Sequence, residues 1–175
     1  MLYVEKSTPE HAFALAFDLR QEDKYEVALA GHTPLDALIA PFRYTRQGVN
    51  TYTVLNTGIP VAMFGVISTP QNVKHGAVWF LSSYKLDNNM RYFTKRTKKW
   101  VDYFLADYEY VYNYITVEHK KNIRWLKWLG FKFKTEKILV KNVEVLYFYR
   151  QIQGVSKDIQ PIIGDIGPKW ITDLS

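Results

Sequence analysis

The stretch Ala77-Val-Trp-Phe-Leu81 is a nearly continuous apolar run, and it predicts a strand that is buried on both faces of a sheet. After it, Asp87-Asn88-Asn89 predicts the cap of a long helix. The apolar positions of that helix recur with helical period and are Phe93, Trp100, Phe104 and Tyr108. Residues 110–117 are rich in Tyr, Val, Ile and Thr and predict a second strand. A strand, a helix and a strand in this order imply a right-handed crossover between two parallel strands.

Antiparallel strands are predicted on both sides of this unit. Residues 1–6 alternate as a short strand, and residues 51–56 and 60–68 form a hairpin around Asn56-Thr57-Gly58. Two final strands over residues 131–140 and 143–150 are joined by a turn. The predicted fold class is therefore α+β, with a central, twisted, mostly antiparallel sheet, one parallel pair, and helices on both faces.

Four further helices complete the predicted order of elements. Ser7-Thr8-Pro9-Glu10 is a strong helix start, and residues 22–30 form a second helix that ends at a glycine. Thr33-Pro34 opens a third, short helix, which Pro41 is expected to end. Residues 119–129 form the last helix, again with a glycine after it.

The domain prediction follows from this order. Residues 1–150 form one domain, and residues 151–175 form a C-terminal tail that is rich in Gly and Pro and has no period. Trp170 and Ile171 would be unusual in a free linker, so we expect the tail to dock on the domain or on a partner.

Composition excludes several classes of protein. The chain has 175 residues and no cysteine, which removes disulfides, Cys-ligated zinc and thiol nucleophiles. The N-terminus has no signal-peptide pattern, and no apolar run approaches the roughly 20 residues of a membrane span. Nothing in the composition requires an oxidising compartment, so we expect a cytoplasmic location.

Positive charge is concentrated in one part of the chain. Residues 85–141 contain 14 Lys and Arg against 6 Asp and Glu, within a total net charge of +6. Two predicted helices carry most of it, at Arg91, Lys95, Arg96, Lys98, Lys99, Lys120, Lys121, Arg124 and Lys127. Such a block attracts the phosphates of a nucleic acid or of a phosphorylated cofactor. A solvated helix surface without a ligand is the alternative.

No established catalytic motif is present in the sequence. The four histidines are scattered with no pair at metal-ligand spacing, so no metal site is predicted. Glu22 and Glu26 share one face of the second helix, where either carboxylate could bind an amine or act as a base. We take Glu26 as the candidate catalytic residue, with a solvated acidic surface as the alternative.

The order of elements resembles the GNAT acyltransferase family. The closing segment, with Leu129-Gly-Phe131 after the last helix, is similar to that family's late strand and helix. In GNAT proteins the central parallel strands splay apart, and acetyl-CoA enters the gap with its pyrophosphate at the start of the next helix. The resemblance implies a cofactor site at Leu81, Ser83, Asn88, Asn89, Met90, His119 and Asn122.

The sequence departs from the family pattern at three places. The loop at residues 84–90 contains no glycine, although the family uses glycines there to let the backbone approach the phosphates. His119 stands where many members have Asn, and Leu126 stands where many have a proton-donating Tyr. Proton donation from that position is therefore excluded, and Tyr84, Tyr112 or Tyr114 could substitute if the geometry allowed.

A narrower resemblance covers residues 1–150. Trp79-Phe80-Leu81-Ser82, the basic stretch of residues 94–99 and residues 112–117 are similar to a group of GNAT-like internal virion proteins of T7-like phages. This resemblance implies a role in virion assembly or early infection, exercised through binding to a phage or host protein, in the host cytoplasm or in the virion. The alternative function is an acetyl-CoA-dependent N-acetyltransferase that acts on an amine. Nucleic acid is a further partner, through the basic helices.

Overall fold

The computed structural model describes residues 1–43, 50–68 and 72–152. Its strands are β1 Leu2–Lys6, β2 Asn50–Asn56, β3 Ile59–Ser68, β4 His75–Ser82, β5 Tyr110–Thr116, β6 Lys132–Val140 and β7 Val143–Gln151. Its α-helices are α1 Pro9–Asp18, α2 Gln21–Leu29, α3 Pro34–Arg43, α4 Met90–Leu105 and α5 Lys120–Trp128. The predicted tail, including Trp170 and Ile171, lies outside the described residues beyond Ile152.

The strands form one sheet in the order β1-β2-β3-β4-β5-β7-β6. All neighbouring pairs run antiparallel except β4 and β5, which are parallel. The helix α4 connects these two strands, as the strand–helix–strand pattern predicts. The mixed sheet with one parallel pair is therefore confirmed.

Helices cover both faces of the sheet, as predicted. Leu15 of α1 and Leu38 of α3 pack with Trp79 in one hydrophobic cluster. Phe93 of α4 and Leu126 of α5 belong to a larger cluster on the opposite face. Because successive side chains of a strand point to opposite faces, β4 contributes to both clusters.

One side of β4 is less buried than its apolar sequence predicts. Trp79 is buried, whereas Val78 and Phe80, which point to the face covered by α4 and α5, are only partly buried. The prediction of a strand buried on both faces is therefore wrong on that side. The reason is a cavity that Val78 and Phe80 line.

One predicted helix boundary is wrong, and one predicted cap forms differently. The helix α3 continues past Pro41 to Arg43. A proline in the last turn costs the helix only one hydrogen bond, and Pro41 is fully buried. The predicted cap of α4 at Asp87-Asn88-Asn89 is confirmed in position, since Asn89 is the N-cap residue, but the Asn89 side chain makes no capping hydrogen bond. A 3-10 turn over Tyr84–Asn89 precedes α4 instead, and the N–H of Met90 donates to the carbonyl of Asp87.

The strands β4 and β5 pair over only three residues each. The pairs are His75 with Tyr110, Gly76 with Val111, and Ala77 with Tyr112. Beyond them the side chain of Asn113 replaces the main-chain pairing: its Nδ2 donates to the carbonyl of Val78 at 2.6 Å. Its Oδ1 accepts from the N–H of Tyr114 at 2.8 Å. Asn113 thus marks the point where the strands separate, and we call the space between residues 78–82 and 113–116 the gap.

The substitution Asn113→Ala tests this bridge. It removes both side-chain hydrogen bonds and leaves the carbonyl of Val78 without its partner, so we expect the free energy of unfolding to fall by about 1–3 kcal/mol. Urea unfolding followed by tryptophan fluorescence measures the change. The control is Asn88→Ala at an exposed position, where a change within about 0.5 kcal/mol is expected. Equal losses in the two variants would contradict the bridging role.

Candidate functional site

The end of β4 directs main-chain groups into the gap. The N–H of Ser83 donates to the carbonyl of Val61 in β3 at 2.9 Å. Hydrogen-bonding directions alternate along an antiparallel strand, so the preceding residue, Ser82, directs its N–H and C=O away from β3 and into the gap. By the same alternation Leu81 directs its main chain toward Met63 of β3, with which it pairs.

Both gap-facing groups of Ser82 have partners within the chain. Its N–H donates to Oδ2 of Asp23 at 2.7 Å, and its carbonyl accepts from the N–H of Arg20 at 2.9 Å. Asp23 is 7% exposed, so this carboxylate is a buried acceptor rather than a surface charge. Arg20, which precedes α2, and Asp23 in the first turn of α2 therefore take the place beside β4 that a further strand would take.

Glu26 reaches the opposite side of the gap. Its Oε1 accepts from the N–H of Thr116 at 3.4 Å and from the hydroxyl of Thr116 at 3.3 Å. The same oxygen lies 3.2 Å from Nδ1 of His119. Asp23 and Glu26 are three residues apart on α2 and so lie on one face of that helix. One turn of α2 therefore holds the ends of both separated strands.

The surroundings of Asp23 and His119 raise the pKa of both groups. Burial raises the pKa of Asp23 to about 6, although the hydrogen bond from Ser82 opposes that rise. The contact with Glu26 raises the pKa of His119, which burial alone would lower. Both groups consequently bind a proton more tightly in the folded chain than in the unfolded chain.

Behind the two carboxylates lies a cavity of about 220 Å³ between β4 and β5. Its lining is mainly apolar and aromatic and includes Phe64, Val78, Phe80, Trp100, Trp125 and Phe148. The ring centroids of Phe80 and Trp125 are 5.5 Å apart. The indole N–H of Trp125 is buried and has no hydrogen-bond partner in the described part of the chain. The gap therefore contains a cavity that aromatic side chains line, with Asp23 and Glu26 at one end.

The segment that leads from β4 to α4 is tied to the α1–α2 junction by charged and polar contacts. Lys85 pairs with Asp18, and Arg20 pairs with Asp87. The hydroxyl of Tyr84 donates to Oε2 of Glu22 at 2.8 Å. Each of the three carboxylates is therefore engaged by a neighbouring side chain, and these contacts hold the segment before α4, which contains no glycine.

The structure divides the predicted site residues into two groups. Glu26 and His119 are in contact, and Leu81 and Asn122 line the same cavity. Ser83 directs its N–H to β3, and its hydroxyl accepts from the N–H of Lys85. Asn88, Asn89 and Met90 lie at the start of α4 and do not line the cavity. The cofactor-binding role of these residues and the catalytic role of Glu26 stay predictions.

Sequence reasoning gave no role to Asp23, which it noted only as a member of the acidic cluster of the second helix, and it did not single out Asn113; these two residues organise the gap. It grouped Glu22 with Glu26, whereas the structure uses Asp23 with Glu26 and leaves Glu22 exposed beside Tyr84. The usable signal was the three-residue spacing of Asp23 and Glu26, which also lies on one helix face. Asn113 had no local signal, because its partner is 35 residues away.

Within residues 1–43, 50–68 and 72–152, no three His, Asp or Glu side chains converge as a metal-binding group. None of the helices that the structure describes combines the length and apolar composition needed to span a bilayer.

Comparison with solved structures identifies the fold. The acetyltransferase of the GNAT family from Streptococcus pneumoniae superposes with a TM-score of 0.61 at 10% identity, covering 87% of this chain and 99% of that one. The ribosomal-protein-S18-alanine N-acetyltransferase from Escherichia coli gives 0.63 at 6% identity, covering 91% and 99%. An aminoglycoside acetyltransferase solved with coenzyme A gives 0.62 at 12% identity, covering 87% and 96%. The chain therefore has the GNAT fold.

Sequence comparison points to phages. A family model described as "Bacteriophage T7, probable scaffold protein Gp13" matches residues 54–138, which is just under half of the chain. The match begins in β2 and ends in β6, so it spans both separated strands, α4 and α5. A search of curated proteins finds no match. The chain is thus similar to a phage protein family and has the fold of an acetyltransferase.

The raised pKa values generate a prediction about stability. Since Asp23 and His119 hold protons more tightly when folded, their contribution to stability is complete at low pH. It is lost as the pH rises, first from about 4 to about 6 for Asp23 and then above about 6.5 for His119. The substitution Asp23→Asn keeps an acceptor for Ser82 and removes the buried charge. We expect it to abolish the fall between pH 4 and 6 and to stabilise the chain at pH 8 by on the order of 1–3 kcal/mol.

Urea unfolding between pH 4 and 8 measures this effect. The matched control is Asp102→Asn, where the carboxylate is more than half exposed and pairs with Arg150 at 2.7 Å. Its pH profile should follow that of the parent chain. If the profiles of Asp23→Asn and the parent chain ran parallel over the whole range, the buried, proton-binding role of Asp23 would be wrong.

Proposed function

We propose that this protein acts in phage particle assembly or early infection by binding another protein, and that its GNAT fold serves as a binding framework rather than as a catalyst. The observation that carries the proposal is that both main-chain groups of Ser82 already have partners. Its N–H donates to Asp23, and its C=O accepts from the N–H of Arg20. In the GNAT family this part of the sheet receives acetyl-CoA. In this chain, its own residues take that position.

The contacts made by the segment before α4 support the same proposal. A pyrophosphate needs exposed backbone N–H groups and positive potential at a helix start. Here Asp18, Glu22 and Asp87 surround the segment before α4, and the N–H of Met90 already donates to a carbonyl. A polyanionic cofactor that approached this segment would have to break these contacts.

A protein partner has a suitable surface on α1. Phe13 and Phe17 are four residues apart on that helix and are 51% and 85% exposed. Two exposed phenylalanines on one helix face are typical of a protein contact surface rather than of a solvated helix. The scaffold description of the matching family supports a phage structural protein as the partner.

One observation favours the alternative, an acetyl-CoA-dependent N-acetyltransferase. The cavity of about 220 Å³ lies between the separated strands, with Glu26 and His119 in contact at its acidic end. In that function Glu26 would accept a proton from the amine as the amine attacks the thioester carbonyl. The reaction would form an amide and release the coenzyme A thiol.

Calorimetry with the full chain and acetyl-CoA separates the two functions. Because both main-chain groups of Ser82 already have partners, and side-chain contacts hold the segment before α4, we expect no saturable binding with Kd below about 1 mM. The complementary assay is plating of a phage that lacks the gene, with the gene supplied in trans. Val78→Phe, which fills the cavity, should still restore plating, whereas Phe13→Ser with Phe17→Ser should not.

Two controls make this result interpretable. Leu139 is 69% exposed on β6, so Leu139→Ser removes a comparable apolar surface elsewhere and should restore plating. Thermal unfolding shows whether Val78→Phe and the double variant remain folded. Micromolar binding of acetyl-CoA with transfer to an amine, together with loss of plating in a folded Val78→Phe protein, would establish the alternative instead.

A further inference from the structure

The outer surface of α4 carries a dense group of cations. Arg91, Lys95, Arg96, Lys98 and Lys99 are all exposed. In residues 1–43, 50–68 and 72–152, none of these five forms an ion pair with a carboxylate. The first acid of α4 is Asp102, and Arg150 already neutralises it. The first two-thirds of α4 is therefore a positive surface without internal compensation.

The helix α5 extends this surface. Its cations are Lys120, Lys121, Arg124 and Lys127, all exposed, and its sequence contains no acid. The two helices lie on the same face of the sheet, because Phe93 of α4 and Trp125 of α5 contact each other and both contact Phe80. We call the nine cations of α4 and α5 together the basic face.

The other exposed side chains on these helices help to identify the ligand. The large hydrophobic residues that are exposed on α4 and α5 are Tyr92, Tyr103 and Trp128, with no exposed Leu, Ile or Phe. An amphipathic helix that enters a bilayer carries an apolar face of Trp, Phe and Leu side chains, and one exposed Trp with two exposed Tyr, spread over two helices, does not form such a face. The guanidinium of Arg96 lies 3.5 Å from the ring centroid of Tyr92, which fixes one charge at the surface.

The density of positive charge on α4 is comparable to the density of phosphates along a duplex. Arg91, Lys95 and Lys98 form one stripe along α4, and the helix from Arg91 to Lys99 is about 12 Å long. The same length of duplex axis carries about seven phosphates. We propose that the basic face binds the phosphate backbone of double-stranded nucleic acid without reading its sequence. This proposal does not depend on the cavity or on the α1 surface.

Fluorescence anisotropy of a labelled 20-base-pair DNA duplex with the full chain tests the proposal. With about five phosphate contacts, affinity should fall by roughly 10²–10³-fold between 50 and 200 mM salt. The triple variant Arg91→Gln, Lys95→Gln and Lys98→Gln should weaken binding and reduce the slope of log affinity against log salt by about one for each residue.

The control variant carries the same change of net charge on other elements: Arg43→Gln, Lys74→Gln and Lys137→Gln. It should bind the duplex almost as the parent chain does, with the same salt slope. If both triple variants lost the same affinity for the duplex, binding would depend only on net charge, and the proposal would be overturned. It would also be overturned if the parent chain failed to bind at 50 mM salt, or if it bound vesicles of anionic phospholipid more tightly than DNA. Circular dichroism verifies that both triple variants are folded.

Discussion

Two neighbouring parallel strands that separate must find new partners for their main-chain groups, and this requirement organises the whole structure. Each buried N–H or C=O without a partner costs about as much as a lost hydrogen bond. Here side chains supply the partners: Asn113 at the point of separation, and Asp23 and Glu26 at the far end. The gap can therefore persist without any ligand to hold it.

The side chains that supply these partners also determine the chemical properties of the gap. A buried carboxylate resists ionisation, so Asp23 combines a raised pKa with a structural hydrogen bond. The same carboxylate accepts from the N–H of Ser82, and the N–H of Arg20 donates to the carbonyl of Ser82. The fold that acetyltransferases share is thus kept, while the strand end is closed by the chain itself. The aromatic cavity behind it is the space that remains, because the large side chains of Phe80 and Trp125 fill only part of the gap.

Local patterns predicted the parts of the fold that depend on neighbouring residues. The hairpin of β2 and β3 follows from its turn, where Thr57 and Gly58 have φ of 50° and 81°. The helical period of residues 93–104 correctly indicated α4, although Tyr108 lies beyond the end of that helix at Leu105, and the parallel pair of β4 and β5 followed from the order strand, helix, strand. By contrast, the bond between Asp23 and Ser82 joins residues 59 positions apart, and no local pattern encodes it. The same holds for Asn113, so the residues that close the site became visible only in three dimensions.

Hydrogen exchange at the N–H of Ser82 tests this account most directly, since that group distinguishes a closed strand end from an open one. In the ¹⁵N-labelled full chain at neutral pH, NMR should show that this amide exchanges as slowly as the paired amides in the middle of β3, because Asp23 holds it in a buried bond. Exchange as fast as that of an exposed turn amide, such as Gly58, would mean that the strand end is open and that the central claim is wrong.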